Sequence, residues 1–303
     1  MRHALLVSEF LSTPWAVEHS RLAVFAGVVA RWAHGVPRTM EEYDDPSEIQ
    51  ARRDAAQRQA NTLGGGVARI PIFGAITQRA SMMSDWSGGT STQQVSQQLA
   101  DALSDDSVGS ILLDIDSPGG SVMGIQELAD EIRAAGAKKP VAAIANSMAA
   151  SAAYWLASQA SEFYLTPSGM VGSIGVYVAH EDYSKALDEI GIKTTLVSAG
   201  KFKTEGNDVE PLSDEAKAHM QATVDAYYQA FTGAVARGRG VPVAEVRGGM
   251  GQGRMLTADE AKAAKMVDGV QTYAQTVKLM QRRNAAPAAA RARARSLALL
   301  EQS

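Results

Sequence analysis

The 303-residue chain contains no cysteine, which excludes disulfide bonds, thiolate metal sites and cysteine nucleophiles together. An absence of cysteine also fits a protein of a reducing compartment. Neither sign of charge dominates: 29 basic and 33 acidic residues give a net charge of −4, too small at this length to indicate a nucleic-acid binder. Hydrophobic residues make up 46%, so the chain can bury a sizeable core and global disorder is excluded.

Long apolar runs are also missing. The apolar residues 4–7 are followed closely by Glu9, and the stretch 22–32 is bounded by Arg21 and Arg31 and is too short to span a bilayer. No other window offers about 18 uncharged apolar residues. We therefore expect no secretory signal, no membrane anchor and a cytoplasmic location.

Composition divides the chain into three segments. Residues 1–62 are predicted to be an N-terminal helical segment, because 22–32 is amphipathic and 41–60 is rich in Glu, Arg, Gln and Ala. The glycines at 64–66 break that pattern and mark the start of a domain at 63–280. Residues 281–303 form an Arg/Ala-rich basic tail, for which a partner-bound helix and solvated disorder both stay open.

The central domain alternates between short apolar strands and helices. This alternation predicts an α/β domain, a largely parallel sheet with helices packed outside it. The predicted strands are 67–72, 110–115, 141–145, 162–165, 174–178 and 194–197, and the predicted helices are 92–104, 122–135, 149–159, 182–190 and 213–237.

The first segment with chemical potential is Asp114–Ser121, where a buried strand ends in Ser-Pro-Gly-Gly. Glycine lets the backbone approach another group closely. Backbone N–H groups of Gly119 or Gly120 at such a turn can stabilise a developing oxyanion. Taken alone, the motif fits an ordinary tight turn at least as well.

The second segment surrounds Ser151, which follows the next buried strand and opens a helix. The small residues on both sides leave room for an extended chain beside its hydroxyl. N–H groups of a first helical turn lack internal partners, so Ala152 is a candidate second oxyanion donor. The alternative is that Ser151 is only a small helix-packing residue.

The third segment is the loop Gly200–Gly206, which contains Lys203. A serine hydroxyl is a poor nucleophile until a base removes its proton. A lysine can be that base only when burial or nearby positive charge keeps it neutral. Most lysines in such loops are solvated, and Lys201 competes for any role.

The combination of these segments with Gly-Ser-Ile-Gly-Val at 172–176 and Thr-Ala-Asp-Glu-Ala at 257–261 resembles the signal peptide peptidase A (SppA) family of serine peptidases. The resemblance runs from about Val67 to Val270. It implies a ClpP/crotonase-like α/β fold with repeated ββα units, and a peptidase that needs neither a cofactor nor a metal.

The resemblance also implies roles by position. Ser151 corresponds to the nucleophile, Lys203 to the general base, and Ser173 to a serine that orients the lysine amine. The oxyanion donors correspond to Gly119 or Gly120 together with Ala152. The chain departs from the family where alanines follow Ser151 in place of a common glycine pair, but an alanine still supplies the N–H group.

A second resemblance narrows the subclass. Residues 8–33 are similar to the N-terminal segment of phage capsid-maturation peptidases, the lambda C-like branch of the family. That branch implies a Ser/Lys endopeptidase cleaving scaffold, capsid or portal proteins during head maturation of a phage or prophage. It also implies a homo-oligomer inside the procapsid, in the host cytoplasm, without nucleic-acid or membrane partners.

Other hypotheses stay open from the sequence. A bacterial SppA-like peptidase would degrade signal peptides or other membrane-released peptides. A ClpP-type Ser/His/Asp triad would need a histidine, for which His180 is the candidate. An acyl-CoA enzyme on the same fold would use Glu162 or Asp182, and a catalytically inactive capsid-associated structural protein would use neither.

Overall fold

The computed structural model describes residues 15–17, 63–79 and 89–285. These residues form a nine-stranded sheet in which β3, β2, β4, β5, β6 and β9 lie side by side in parallel. Two further pairings are antiparallel, β1 with β4 and β7 with β8. The strands are β1 (Trp15–Val17), β2 (Val67–Thr77), β3 (Thr90–Ser91), β4 (Ser110–Ser121), β5 (Val141–Ala150), β6 (Glu162–Leu165), β7 (Met170–Gly172), β8 (Met255–Thr257) and β9 (Gly269–Val270).

Helices cover both faces of the sheet. Within the described ranges none of them has the length and apolar character needed to cross a bilayer. They are α1 (Thr92–Ser104), α2 (Ile125–Gly136), α3 (Ala152–Ala157), α4 (Ser184–Glu189), α5 (Asp214–Arg239), α6 (Val243–Gly249), a short 3₁₀ turn (Gly251–Gly253), α7 (Ala258–Ala263) and α8 (273–285).

Strand β4 shows why the sequence folds this way. Its apolar run is continuous because both faces are buried, as expected for a parallel sheet between helices. Ile111 and Leu113 pack into the main core, whereas Leu112 packs in a second cluster that contains Met280 of α8. The predicted α/β class and the largely parallel sheet are confirmed.

Three strands run further than predicted, and the first of them, β2, ends at Thr77 instead of at residue 72. β4 continues through the Ser-Pro-Gly-Gly motif to Ser121, and β5 continues to Ala150. The predicted turns are strands here because β2 and β1 pair with the end of β4, and β7 pairs with the end of β5. The helices after them consequently begin later, at Ile125 and Ala152.

Two predicted strands are wrong. Residues 174–178 and 194–197 form no strand, and β7 lies earlier, at Met170–Gly172, between β5 and β8. Residues 191–200 are all exposed, so no neighbouring strand or core supports the apolar pattern on which the prediction rested.

The outer segments differ in part from expectation. The helices predicted at 22–32 and 41–60 lie outside the described residues, as do residues 286–303. Trp15–Val17, within the segment predicted to be helical, forms β1. The domain end predicted at 280 falls inside α8, whose Asn284 side chain donates to the carbonyls of Gly65 and Gly66, so packed structure extends beyond it.

Candidate active site

Ser151 stands at the junction of β5 and α3 in a conformation that few non-glycine residues adopt. Its φ is 53° and its ψ is −117°, and only 1% of the residue is exposed. Such a backbone costs on the order of 1–3 kcal/mol and persists where the surroundings enforce it. Here the Ser151 N–H donates to the Gly172 carbonyl at 2.8 Å, and the Trp155 N–H donates to the Ser151 carbonyl at 2.9 Å.

The Ser151 hydroxyl faces the Gly-Ser-Ile-Gly-Val motif. Its Oγ lies 3.4 Å from the Gly175 carbonyl oxygen, a long and weak hydrogen bond. Ser173 also has a positive φ of 53°, and its N–H donates to the Arg254 carbonyl at 2.9 Å. The structure therefore brings Ser151 and the segment containing Ser173 together.

Gly172 is the residue of this motif that sequence reasoning missed. A Cβ at Gly172 would lie 2.3 Å from the Arg254 carbonyl oxygen, and its φ of +138° disfavours other residues. The glycine allows β7 to fit closely against β8 while its own carbonyl seats the Ser151 N–H. Its place directly before Ser173 was the only available signal.

The Ser-Pro-Gly-Gly motif is held by Ser117, which the sequence did not single out. The Ser117 hydroxyl is fully buried, donates to the Gly74 carbonyl at 2.6 Å and accepts from the Gly119 N–H at 3.1 Å. Next to it, a Cβ on Gly120 would lie 1.9 Å from the Ile76 carbonyl oxygen. Gly120 thus serves close backbone packing inside the sheet.

The predicted oxyanion donors lie at the same end of the sheet as Ser151. β4 and β5 are parallel and Ser117 is opposite Ala149, so Gly119 and Ser151 follow at equivalent distances along the two strands. Ala152 is the first residue of α3, a position whose N–H has no partner within the helix. The Gly119 N–H is engaged by the Ser117 hydroxyl, with which a substrate oxygen would compete.

Lys203 is not part of this cluster in the single chain. It is exposed, and its N–H donates to the Gly200 carbonyl at 3.1 Å. Within the described part of the chain, no hydrogen bond joins its amine to Ser151 or Ser173. Lys201, its neighbour, pairs with Glu215 at 2.9 Å. Large apolar side chains exposed in the same region are Ile190, Ile192, Leu196, Val197 and Phe202.

The candidate residues of the triad and acyl-CoA hypotheses, His180, Asp182 and Glu162, each form hydrogen bonds within the fold. The His180 ring lies 2.8 Å from the Asn207 carbonyl oxygen. Asp182 accepts from the Ser184 N–H at the start of α4, and hydrogen bonds from Ser184 lower the pKa of Asp182.

Glu162 accepts from Arg283 at 2.6 Å and from the Tyr164 hydroxyl at 2.7 Å. Burial, together with this hydrogen bond, raises the pKa of Tyr164 to about 12. Across residues 63–79 and 89–285, no group of three or more His, Asp or Glu side chains is arranged to hold a metal ion.

Comparison with known proteins defines first the class and then the family. The Clp protease model matches residues 70–171, which together with the largely parallel sheet confirms the ClpP-like α/β fold. The model of peptidase family S49 matches residues 133–286. The chain belongs to peptidase family S49, and the resemblance to SppA-like serine peptidases is confirmed.

Two phage proteins are among its relatives. Capsid assembly protease C of Escherichia phage lambda is 38% identical over 192 residues, covering 63% of this chain and 44% of that protein. Head-tail preconnector protein GP5 of Enterobacteria phage P21 is 35% identical over 218 residues, covering 70% and 44%. The chain thus spans less than half the length of either relative.

Cellular proteins match as well. Protease 4 of Salmonella typhi is 31% identical over 208 residues, covering 68% of this chain and 33% of that protein. Among solved structures, a ClpP1 mutant from Listeria monocytogenes is 16% identical with a TM-score of 0.43, covering 69% of this chain and 94% of the other.

Proposed function

We propose that this protein is a serine endopeptidase in which Ser151 is the nucleophile and Lys203 the general base. The observation that carries the proposal is the backbone conformation and burial of Ser151. A buried serine with a strained backbone stands at a strand-to-helix junction, and the ends of three strands surround it. A tight strand-to-helix turn of this kind presents a nucleophilic hydroxyl in unrelated serine hydrolases.

The chemistry follows from these positions. The Lys203 amine takes the Ser151 proton, and Oγ adds to the substrate carbonyl carbon. N–H groups of Ala152 and of Gly119 or Gly120 stabilise the oxyanion. The intermediate then expels the amine product, which takes the proton from Lys203. Water, deprotonated by the same amine, hydrolyses the acyl-enzyme and restores Ser151.

The base must be delivered to the nucleophile, because Lys203 is exposed in the single chain. A lysine becomes a base when it is desolvated. Exposed apolar side chains such as Val197, 93% exposed, and Phe202, 53% exposed, lie on the same segment, and clustered exposed apolar residues mark interaction surfaces. We infer that association of copies buries this segment and brings Lys203 of one copy to the Ser151 region of another. Ser173, beside Ser151, would then orient the amine.

For the substrate we propose scaffold, capsid or portal proteins of a phage head. The support is the similarity to two phage proteins whose names refer to capsid assembly and to head-tail connection. The Protease 4 relative keeps cellular peptides as the competing substrate class. Incubating the purified protein with neighbouring capsid and scaffold proteins, and mapping the cuts by mass spectrometry, separates the two.

The first experiment tests the nucleophile. Ser151→Ala is expected to abolish labelling by a fluorophosphonate and to slow cleavage roughly 10⁴-fold or more. The matched control is Ser147→Ala, since Ser147 is exposed and only donates to Asp116 at 3.0 Å. Equal labelling of both variants would contradict the assignment, and absence of labelling in the wild type would favour the inactive structural protein.

The second experiment tests the base and its origin. Lys203→Ala is expected to lose cleavage while Lys201→Ala and His180→Ala keep it. Loss in His180→Ala with activity retained in Lys203→Ala would instead support the triad. Mixing inactive Ser151→Ala with inactive Lys203→Ala is expected to restore part of the activity. If the mixture stays inactive, both groups come from one copy and the inferred delivery between copies is wrong.

A further inference from the structure

We propose that Trp15–Val17 is an internal competitor of substrate, bound as a strand at the peptide-binding edge beside Ser151. The inference rests on the proposed function for the identity of that edge. It goes beyond it by assigning a role to β1, which has no part in the catalytic chemistry.

The edge is created where β5 ends and β4 continues. β4 pairs with β5 from Ile111 to Ser117, and β5 ends at Ala150 while β4 runs on to Ser121. The opposite edge of β4 stays paired with β2, since Gly120 is opposite Ile76. Because a strand has two edges, β1 must occupy the one that β5 has vacated.

The register places β1 against the oxyanion segment. Val17 is opposite Gly119, Ala16 is opposite Gly120 and Trp15 is opposite Ser121, all antiparallel. An extended peptide added to a free sheet edge is bound by main-chain hydrogen bonds. A polypeptide substrate whose carbonyl reaches the N–H groups near Ser151 needs this same edge. β1 and a substrate strand therefore exclude each other.

The length of β1 makes it a displaceable occupant. It has only three residues, and each backbone hydrogen bond contributes little net free energy in competition with water. Binding of a longer substrate strand is weakened by the fraction of molecules in which β1 occupies the edge. β1 therefore slows cleavage of weakly bound substrates, whereas extended substrates that pair with β4 over more residues displace it.

Proline substitutions test the pairing. Adjacent residues of an antiparallel strand direct their N–H groups to opposite sides, so either Ala16→Pro or Val17→Pro removes a group facing β4. The matched controls Ala16→Ser and Val17→Thr keep the N–H. In full-length protein carrying Ser151→Ala, hydrogen exchange of residues 117–123 is expected to accelerate in one proline variant and in neither control.

Peptide binding tests the competition. The probe is a fluorescein-labelled synthetic peptide with the sequence of residues 12–20, and binding to the same Ser151→Ala proteins is followed by anisotropy. The proline variant with faster exchange is expected to bind the peptide at least roughly fivefold more tightly than the protein with unchanged β1, because β1 leaves the edge of β4 free in a larger fraction of molecules. Fluorophosphonate labelling of Ser151 should quicken in the matching active variant.

Each other result overturns the inference. Unchanged exchange in both proline variants means that β1 does not lie on β4. Faster exchange without tighter peptide binding means that the edge is not a peptide site. A wild-type chain cut beside Val17 makes β1 a substrate instead of a competitor. If the peptidase hypothesis is wrong, no protein that retains Ser151 will be labelled by the fluorophosphonate. The hydrogen-exchange and peptide-binding results still decide whether β1 competes for the edge.

Discussion

The Ser151 N–H donates to the Gly172 carbonyl at 2.8 Å, and this bond couples the candidate nucleophile to the last residue of β7, further along the chain. Gly172 in turn lies so close to Arg254 that only glycine fits. The unusual backbone of Ser151 is therefore held on both sides, by Gly172 of β7 before it and by the Trp155 N–H of the helix that follows.

Gly172→Ala is expected to slow fluorophosphonate labelling of Ser151 by roughly tenfold or more and to lower stability by about 1–3 kcal/mol. The added Cβ would lie 2.3 Å from the Arg254 carbonyl oxygen and displace the Gly172 carbonyl that accepts from the Ser151 N–H. Labelling rates and urea unfolding measure the two effects. Gly233→Ala in α5, where a Cβ meets only Arg237 at 3.6 Å, should leave labelling unchanged; equal losses in both would refute the coupling.

Gly120→Ala is expected to destabilise the protein by about 3 kcal/mol or more, because a Cβ there would overlap the Ile76 carbonyl oxygen at 1.9 Å. Gly248→Ala in α6 is the control, since nothing lies within 4 Å of its Cβ position and alanine favours a helix by about 0.5–1 kcal/mol. Urea unfolding should shift in opposite directions for the two variants. A Gly120→Ala protein as stable as wild type would contradict the packing described.

Ser117→Ala is expected to cost about 1–3 kcal/mol of stability, because it leaves the Gly74 carbonyl and the Gly119 N–H without their partner. It should also slow labelling of Ser151, since the end of β4, which carries a proposed oxyanion donor, loosens. Denaturation and labelling rates check both effects. Ser147→Ala, at an exposed hydroxyl, should change stability by less than about 0.5 kcal/mol; a comparable loss there would remove the special role of Ser117.

Asp268→Asn is expected to lower stability at pH 7 by about 1 kcal/mol, a figure reduced because the carboxylate is 42% exposed. Burial alone would raise the pKa of Asp268, but hydrogen bonds from Arg239 and from the Phe163 N–H outweigh it and lower the pKa. Because the folded-state pKa of Asp268 is lowered, its stabilising contribution is fully present above its ordinary pKa of 3.8. The contribution is lost as the pH falls through the folded-state pKa.

Urea unfolding at pH 7, 4 and 3 checks this sign. The stability gap between wild type and Asp268→Asn should shrink on acidification. The control is Asp130→Asn, where Arg237 lies 3.9 Å away and both side chains are more than half exposed, so little change is expected. A gap that stays constant from pH 7 to pH 3 would contradict the account.

The sequence predicted best what local pattern determines. The helix at 92–104 and the strand at 162–165 were correct at both ends, and Ser213 caps α5 through its hydroxyl, which accepts from the Ala216 N–H at 3.1 Å. The Ser-Pro-Gly-Gly motif was read as a turn, because glycine and proline usually interrupt strands, and residues 149–150 were read as the start of a helix. Long-range pairing with β1, β2 and β7 overrides that preference.

The candidate site was predictable only in part. Ser151 and the Gly-Ser-Ile-Gly-Val motif come together because both follow strands that end at one edge of the sheet. Ser117 and Gly172 act through backbone contacts that no local pattern encodes. Lys203 is exposed in the single chain, and its sequence pattern carries no signal that distinguishes it from a solvated loop lysine.

The end of α8 fastens the opening of the domain. Gln281 donates to the Leu63 carbonyl at 2.7 Å, and Asn284 donates to the Gly66 carbonyl and to the Ser110 hydroxyl, each at 2.9 Å. These bonds form a clasp between the end of α8 and the residues at the starts of β2 and β4. Proteolytic trimming downstream of residue 285 leaves these hydrogen bonds intact. A cut upstream of Gln281 removes them and so frees the start of β2, the strand that pairs with the Ser-Pro-Gly-Gly segment of β4.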